Sequence, residues 1–181
     1  MAIRIVVGGQ MNSGKSTLVA SIYKHLQASG LNVGMHELDV FSDTLPCILG
    51  SKPWSLRDKR ESGRWQNDAI DHRLCEFAAD RNMIVLGDLP GLIDDSLERM
   101  IRPAAVAIVV GKSLAGIEEW SEFFRLRKIP TVLKVLSCLN GDAPLPSFGI
   151  MLARNLNRKI LRNKDVVGIA DRILAIQGDE I

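Results

Sequence analysis

Residues 8–16 read GGQMNSGKS and follow directly on the apolar run IRIVV. Gly9, four free positions and then Gly14, Lys15 and Ser16 reproduce the pattern of a phosphate-binding loop. Glycines at these two places allow backbone angles and close approaches that a side chain would block. Successive backbone N–H groups can then point at phosphate oxygens, helped by the positive end of the helix that follows. The chemistry indicated is the binding of a nucleoside triphosphate.

The side chains of this loop have separate expected tasks. Lys15 should reach the β- and γ-phosphates, the Ser16 hydroxyl should bind Mg²⁺, and Thr17 should bond the α-phosphate. The expected cofactor is therefore ATP or GTP with Mg²⁺. The nucleotide-binding residues predicted in this segment are Gly9, Asn12, Ser13, Gly14, Lys15, Ser16 and Thr17.

Two aspartates that follow apolar runs are candidates for the metal and for catalysis. Asp88 ends the run MIVLGD and precedes Pro90-Gly91, a tight turn whose Gly91 N–H is expected to sense the γ-phosphate. Asp39 lies in HELDVFSD, after an earlier run, although an ordinary loop position for it stays open. Carboxylates at neighbouring strand ends can share a metal ion, or one can orient the nucleophile. The predicted metal ligands are Ser16, Asp39 and Asp88. The predicted catalytic residues are Lys15, Asp39 and Asp88.

The elements that must position these residues follow from hydrophobic periodicity and from glycine and proline punctuation. The longest irregular region is expected over 40–63, and the helix over 95–102 is expected to be capped by Asp95 or Ser96. Strands are predicted over 3–9, 31–38, 83–88, 104–111, 131–139 and 147–152. Helices are predicted over 15–29, 65–80, 95–102, 114–127 and 165–176.

Strands that alternate with helices, and that are apolar almost throughout, are typical of a parallel sheet covered on both faces. The predicted fold class is α/β, a three-layer α/β/α sandwich with a mostly parallel sheet and the P-loop NTPase fold. A chain of 181 residues suits one domain, so 1–181 is predicted to be a single nucleotide-binding domain. Ligands of such sheets bind beyond the carboxyl ends of the strands, where the loop and both aspartates are expected.

Composition argues against several other classes of protein, among them polyanion-binding, disulfide-rich and membrane-spanning proteins. A net charge of +2 with 46% hydrophobic and 24% charged residues is ordinary globular material, not a polyanion binder by bulk charge. Cys47, Cys75 and Cys138 form no CxxC pair, so we expect reduced, mostly buried thiols in a cytoplasmic protein. No signal peptide and no run long enough to span a membrane is visible. None of the three histidines has a ligand-spaced partner, and all are interpreted as structural.

Two basic segments have two interpretations each. The segments 57–64 and 154–164 are either solvated faces or surfaces for a polyanion, and an arginine such as Arg154 could reach the transferring phosphate. Trp54 and Trp65 flank the first segment and either fasten it to the core or stack on a base. Because both basic segments and both tryptophans also have a purely structural interpretation, nucleic acid has little support as a partner.

These motifs resemble the P-loop NTPases of the SIMIBI class, which includes the MinD/ParA ATPases, dethiobiotin synthetase and the molybdopterin-guanine-dinucleotide accessory GTPase. The resemblance rests on the loop 9–16, on ELDVFSDTL and on GDLPG. It implies that Asp39 is the acidic residue that helps to activate water, and that Asp88 is the carboxylate associated with magnesium. It further implies that Asn140, in LSCLNG, is a base-reading residue after the fifth strand.

The sequence departs from that pattern in two places. Gln10 stands where MinD/ParA members have a signature lysine, which argues against their dimer-coupled mechanism. No NKxD motif follows the fourth or fifth strand, so ATP is favoured over GTP, although the DLPG spelling is GTPase-like. GKSTL and VGMHELDV also resemble the Clp-type polynucleotide kinases, in which Asp39 would be the base on an acceptor hydroxyl.

The function predicted from the sequence is Mg²⁺-dependent binding and hydrolysis of a nucleoside triphosphate. We expect a slow switch coupled to a protein partner or a homodimer. Two alternatives are carried beside it. One is a kinase or ligase that transfers phosphate to a small acid or to a polynucleotide hydroxyl end. The other is a nucleotide sensor with negligible turnover.

Overall fold

A computed structural model describes residues 2–40, 42–54, 67–138, 149–154, 156 and 164–179. Strands and helices alternate along these ranges, as the hydrophobic pattern predicts. The strands are β1 (Ile3–Gly8), β2 (Val33–Glu37), β3 (Ile84–Asp88), β4 (Val106–Gly111), β5 (Thr131–Cys138) and β6 (Ile150–Arg154). The helices are α1 (Lys15–Ala28), α2 (Thr44–Ile48), α3 (Asn67–Ala79), α4 (Asp95–Ile101), α5 (Leu114–Leu126) and α6 (Lys164–Asp179).

The six strands form one sheet in the order β2-β3-β1-β4-β5-β6. Every neighbouring pair is parallel. After β1 the chain builds β2 and β3 on one side of it, and then crosses over to build β4, β5 and β6 on the other side. The two halves of the sheet therefore meet at β1. In parallel sheets, a crevice opens at such a point beyond the carboxyl ends of the strands. The loop after β1 therefore lies between the segments that follow β3 and β4.

Helices cover both faces of the sheet. On one face, β1 side chains such as Ile5 and Val7 pack with Leu18 of α1 and Ile169 of α6. On the other face, Val6 packs in a second core cluster with residues of α3, α4 and α5. Because alternate side chains of a strand point to opposite faces, a strand buried on both faces is apolar throughout. The predicted three-layer α/β fold class is confirmed.

The prediction of an irregular region over 40–63 was partly wrong, because this region contains the short helix α2. Five residues are too few to display a helical period, and Pro46 lies within them. The helix forms through tertiary contacts: Leu45 and Ile48 are buried in the cluster that includes α1. Its first backbone N–H groups are bound by a side chain from β2, described below.

The predicted cap of α4 was also wrong by one residue. Asp94, rather than Asp95 or Ser96, caps this helix, because its Oδ1 accepts hydrogen bonds from the backbone N–H groups of Ser96 (3.0 Å) and Leu97 (3.2 Å). Three successive residues in DDS are all good N-caps, so sequence alone does not separate them.

The cysteines agree only in part with the expectation of reduced, mostly buried thiols, and one histidine has the expected structural role. All three cysteines are free thiols, but only Cys47 is buried, while Cys75 is exposed. His36 on β2 has a structural role, since its Nε2 lies 2.7 Å from Oδ2 of Asp80, beyond the end of α3. None of the helices within the described ranges combines the length and the apolar character that crossing a membrane requires.

Candidate nucleotide site

The glycines of the loop between β1 and α1 are required by its geometry. Gly9 has φ +150°, and a Cβ there would collide with the Val110 carbonyl oxygen of β4. Gly14 has φ +88°, and a Cβ there would lie 2.9 Å from the Leu156 Cβ. Between them, Asn12 also adopts a left-handed conformation, with φ 57°. The loop is therefore packed closely on both sides, and its curvature depends on residues with positive φ.

Helix α1 begins at the end of this loop without a side-chain cap. Gly14 occupies the N-cap position, no side chain accepts from the first turn, and that turn contains no acidic residue. The first N–H groups of a helix carry a partial positive charge and favour an anion. The start of α1 can thus receive a phosphate without competition from a neighbouring carboxylate of its own turn.

Lys15 and Asp88 are two charged residues buried at this point. Lys15 is 8% exposed and donates a hydrogen bond from Nζ to the Gln10 carbonyl oxygen at 3.1 Å. Asp88 is 1% exposed at the end of β3, opposite Val7 of β1. Burial lowers the pKa of Lys15, and the negative charges of Asp88 and Asp39 partly offset this. The ammonium is thus held inside the loop and near both predicted carboxylates.

The Asp88 carboxyl group has an incomplete set of partners. Burial raises the pKa of Asp88 to about 6. The positive charge of Lys15 and a hydrogen bond with the Ser16 side chain lower this pKa, while the negative charge of Asp39 raises it further. Its Oδ1 is buried and has no hydrogen-bond partner in the described part of the chain. A buried carboxylate oxygen without a partner is costly unless a cation or donor satisfies it.

A hydroxyl and a carboxylate oxygen side by side suit Mg²⁺. This ion is usually held by one or two protein oxygens, with phosphates and water completing its shell. The described residues contain no group of three or more His, Cys, Asp or Glu side chains that could hold a metal ion by themselves. The donor set of Ser16 and Asp88 therefore fits a magnesium ion that arrives with a nucleotide better than a metal held by protein ligands alone.

Asp39 is brought to the same cluster by a braced segment after β2. Its charge acts on Lys15 and on Asp88, so the three predicted catalytic residues lie together. The guanidinium Nη1 of Arg73, from α3, donates to the carbonyl oxygens of Glu37 (2.7 Å) and Asp39 (2.6 Å). Because one guanidinium nitrogen binds both carbonyl oxygens, Arg73 fixes the backbone conformation at Asp39.

Glu37 braces the other end of that segment. Its Oε1 accepts hydrogen bonds from the backbone N–H groups of Thr44 (2.7 Å) and Leu45 (3.2 Å), in the first turn of α2. Burial raises the pKa of Glu37 to about 8, Asp88 adds to the rise, and the N–H groups of Leu45 and Thr44 oppose it. Glu37 therefore links the end of β2 to the start of α2.

Gly91 lies against the loop between β1 and α1, on the β3 side of that loop. A Cβ on Gly91 would be 2.7 Å from the backbone N of Met11, so the two backbones touch. Ser13 is 1% exposed, and its Oγ is buried without a hydrogen-bond partner among the described residues. Thr17 is also buried, in the first turn of α1. The loops that follow the neighbouring strands β1 and β3 thus contact each other.

The structure brings ten of the predicted site residues to the carboxyl edge of the sheet, and it does not describe the eleventh. The ten are Gly9, Asn12, Ser13, Gly14, Lys15, Ser16, Thr17, Asp39, Asp88 and Gly91. Asn140 lies outside the described residues, as do Trp65, the segment 57–64 and most of 154–164. At the start of that last segment, the Arg154 guanidinium is 3.5 Å from an Asp165 carboxylate oxygen.

Arg73 is a site residue that the sequence reasoning missed. A signal was present, since Arg73 stands between Ile70 and Phe77 on the face of α3 that packs toward the sheet. A charged residue at core-facing spacing usually has buried partners.

The architecture matches solved structures, although no family model and no curated protein sequence matches the chain. The septum site-determining protein MinD of Pyrococcus horikoshii OT3, complexed with Mg-ADP, superimposes with a TM-score of 0.74. The two sequences are 11% identical, and the match covers 100% of this chain and 99% of that one. The chain has the fold of the SIMIBI-class P-loop NTPases.

Two further structures of this fold show its range. A putative plasmid partition protein of Borrelia burgdorferi B31 bound to AMPPNP matches with a TM-score of 0.65 at 12% identity, over 100% of both chains. Cobyrinic acid a,c-diamide synthase of Mycobacterium smegmatis, with bound ADP and magnesium, matches with a TM-score of 0.53 at 15% identity. That match covers 79% of this chain and 77% of the other. At sequence identities this low, the structural matches establish a common fold alone.

Proposed function

We propose that this chain binds a magnesium nucleoside triphosphate in the loop between β1 and α1 and hydrolyses it. The observation that carries the proposal is the buried Asp88 carboxyl group. One of its oxygens lacks a partner, and it lies beside Ser16 and near Lys15 at the uncapped start of a helix. A site that keeps a carboxylate in this condition is suited to a cation brought by its ligand.

The described residues suggest a division of tasks. Lys15 would exchange its bond to the Gln10 carbonyl for the β- and γ-phosphate oxygens. Ser16 and Asp88 would hold Mg²⁺, which neutralises charge on the phosphates. Asp39, held by Arg73 and close to Lys15, would orient the attacking water. The backbone N–H groups of the loop and of Gly91 would line the phosphate chain.

ATP is the favoured nucleotide, and slow turnover coupled to a protein partner or a second copy is the favoured use. The structures of this fold named above were solved with ADP or an ATP analogue, which supports an adenine nucleotide. Asn140 is the proposed base-reading residue. Asp39, whose carbonyl is held by Arg73, would respond to the state of the phosphates.

Calorimetry with Mg-ATP and Mg-GTP, followed by measurement of phosphate release, tests the proposal. Lys15→Ala should abolish triphosphate binding, because the buried ammonium is the main cationic side chain of the loop. Asp39→Ala should leave binding within a few fold and slow hydrolysis by about 10²-fold, the scale of one general base or water-orienting group. Absence of any heat with either nucleotide would refute the function, and an unchanged rate for Asp39→Ala would remove that residue from the mechanism.

Phosphate transfer to an acceptor is the second candidate. A synthase is among the proteins that share this fold, and Asp39 could equally take a proton from an acceptor hydroxyl. Incubation with γ-labelled ATP and a panel of small acids and polynucleotides separates the cases. Label on an acceptor supports a kinase or ligase, label only in free phosphate supports hydrolysis, and binding with neither supports a sensor.

A further inference from the structure

The turn between β4 and α5 packs directly against the first half of the phosphate loop. A Cβ on Gly9 would collide with the Val110 carbonyl, and a Cβ on Gly116 would collide with the Gln10 side chain. Residues 110–116 therefore flank Gly9 and Gln10 on the side away from Asp88, since β1 lies between β3 and β4. This wall of the site comes from a segment that carries none of the predicted nucleotide-binding residues.

The backbone of this turn is held in place at both ends. A Cβ on Gly111 would be 2.6 Å from Cγ1 of Ile117, so the strand passes into the helix by a close approach that needs glycine. The Ser113 Oγ accepts a hydrogen bond from the Gly116 N–H at 3.2 Å and caps α5. The residue between Gly111 and Ser113 is thus presented from a defined position.

That residue is Lys112, and its side chain is exposed. The turn that carries Lys112 contacts Gly9 through Val110 and Gln10 through Gly116, so Lys112 lies beside the loop that ends at Lys15. Within the described ranges, no carboxylate forms an ion pair with Lys112. The neighbouring stretch 8–14, GGQMNSG, contains no charged residue.

We propose that Lys112 is a second phosphate-binding cation, acting on the terminal phosphate of the bound triphosphate from the β4 side. The inference rests on the function proposed above and adds a residue to the same site. Lys15 reaches the phosphates from α1, so the two ammonium groups would lie on different sides of the phosphate chain. A charged donor on each side neutralises more of the charge than one donor can.

The step that Lys112 assists is ordinary hydrolysis. A water oxygen forms a bond to the γ-phosphorus while the bond from that phosphorus to the bridging oxygen breaks. The electron pair stays on the diphosphate, and the water proton passes to a carboxylate or to solvent. Negative charge that develops on the terminal phosphate and the bridging oxygen is stabilised by a nearby cation. Lys112 should therefore distinguish triphosphate from diphosphate.

The test compares Lys112→Ala and Lys112→Arg with Lys24→Ala, an exposed lysine on α1 more than two helical turns beyond Lys15. Calorimetry gives the dissociation constants for a non-hydrolysable Mg-ATP analogue and for Mg-ADP, and phosphate release gives the turnover. For Lys112→Ala we expect about tenfold weaker binding of the triphosphate, the usual scale of one charge-assisted hydrogen bond, and a diphosphate affinity within about twofold. Lys112→Arg should restore most of both affinity and turnover, and Lys24→Ala should match the wild type.

Two results would overturn the inference while the proposed function stands. One is a Lys112→Ala protein that binds the triphosphate and turns over like the wild type. The other is an equal loss of triphosphate and diphosphate affinity, which would mark Lys112 as a general surface charge. If the wild-type chain binds neither nucleotide, the proposed function and the inference fail together. Thermal unfolding of each variant checks that the exposed substitutions leave the fold intact.

Discussion

At the scale of single residues, the site holds ionisable groups in surroundings that oppose their charged forms. Asp88 is almost wholly buried, and its pKa is raised to about 6 by that burial against the attraction of Lys15. Glu37, on the adjacent strand, has a pKa raised to about 8. Such groups cost stability when they ionise in the free protein, and a bound cation can offset the cost. A conflict of this kind between a binding site and the stability of its fold is expected if the proposed function is correct.

Asp88→Asn should therefore stabilise the free protein at neutral pH. The folded pKa lies above the unfolded one, so the native state binds more protons between pH 3.8 and about 6, and stability falls as pH rises through that window. The variant lacks this fall and should be more stable by about 1–3 kcal/mol at pH 7.5. Urea unfolding at pH 5.0 and pH 7.5, with chelator present, measures it.

The pKa of Glu37 is raised in part by the charge of Asp88, so Asp88→Asn should also lower the Glu37 pKa, and the difference between wild type and variant contains both effects. Asp171→Asn, on the exposed surface of α6, is the matched control and should leave stability unchanged. The same Asp88→Asn protein should lose magnesium-dependent turnover. Equal pH profiles for wild type and Asp88→Asn would contradict the account of Asp88.

At the scale of elements, Asp39 depends on contacts between parts that are distant in sequence. Arg73 of α3 holds the Glu37 and Asp39 carbonyls, and Glu37 holds the start of α2. The chain is thus held near either end of the connection 38–43, at Asp39 by Arg73 and at Thr44 by Glu37. Helix α3 contributes no residue to the loop between β1 and α1, yet through Arg73 it holds the backbone that carries the Asp39 carboxylate.

Arg73→Met should separate positioning from binding. Loss of two hydrogen bonds from a charged donor should lower the free energy of unfolding by about 1–3 kcal/mol. Nucleotide affinity should stay within a few fold, while turnover falls about tenfold, because misplacement of a catalytic group slows chemistry more than it weakens binding. Arg73→Lys should recover part of the rate.

A suitable control for this variant is Arg125→Met. Arg125 forms an exposed ion pair with Glu122 on α5, and exposed pairs contribute little to stability. Turnover of the control should equal that of the wild type. If Arg73→Met lost affinity and turnover in the same proportion, the guanidinium would have to contact the nucleotide instead of the backbone at Asp39.

At the scale of the whole molecule, the site lies where the two halves of the sheet diverge. The loop after β1 touches segments that follow both β3 and β4, so a ligand there joins parts from each side of the molecule. A ligand that binds only the native state stabilises all of it by mass action. Stability measurements of the full chain therefore report on the site.

Mg-ATP at a hundred times its dissociation constant should stabilise the chain by about 2.7 kcal/mol. For a protein of 181 residues this corresponds to a rise in Tm of roughly 5–10 °C. Differential scanning calorimetry with ATP, with Mg-ATP and with magnesium alone measures the shift. The increase should require both components together, and Lys15→Ala should abolish it. A full shift from magnesium alone would indicate a metal site independent of nucleotide.

The amino-acid sequence by itself determined the local features of this protein. The glycine and lysine spacing of residues 9–16 and the succession of apolar runs depend on neighbours a few positions apart. Hydrophobic period, turn chemistry and backbone freedom act at that range, so the strands, most helices and the glycine-dependent loop between β1 and α1 were predictable. The same reasoning could not choose among three adjacent helix caps, nor find a five-residue helix.

Tertiary structure decided which distant residues meet. The order β2-β3-β1-β4 places Asp88 and Lys112 on opposite sides of one loop, and it brings Arg73 to carbonyls 34 and 36 residues earlier in the chain. Burial, and with it the raised pKa of Asp88 and Glu37, exists only once both faces of the sheet are covered. Those contacts arise from global packing, because no local period encodes which strands become neighbours or which side chains lose their water.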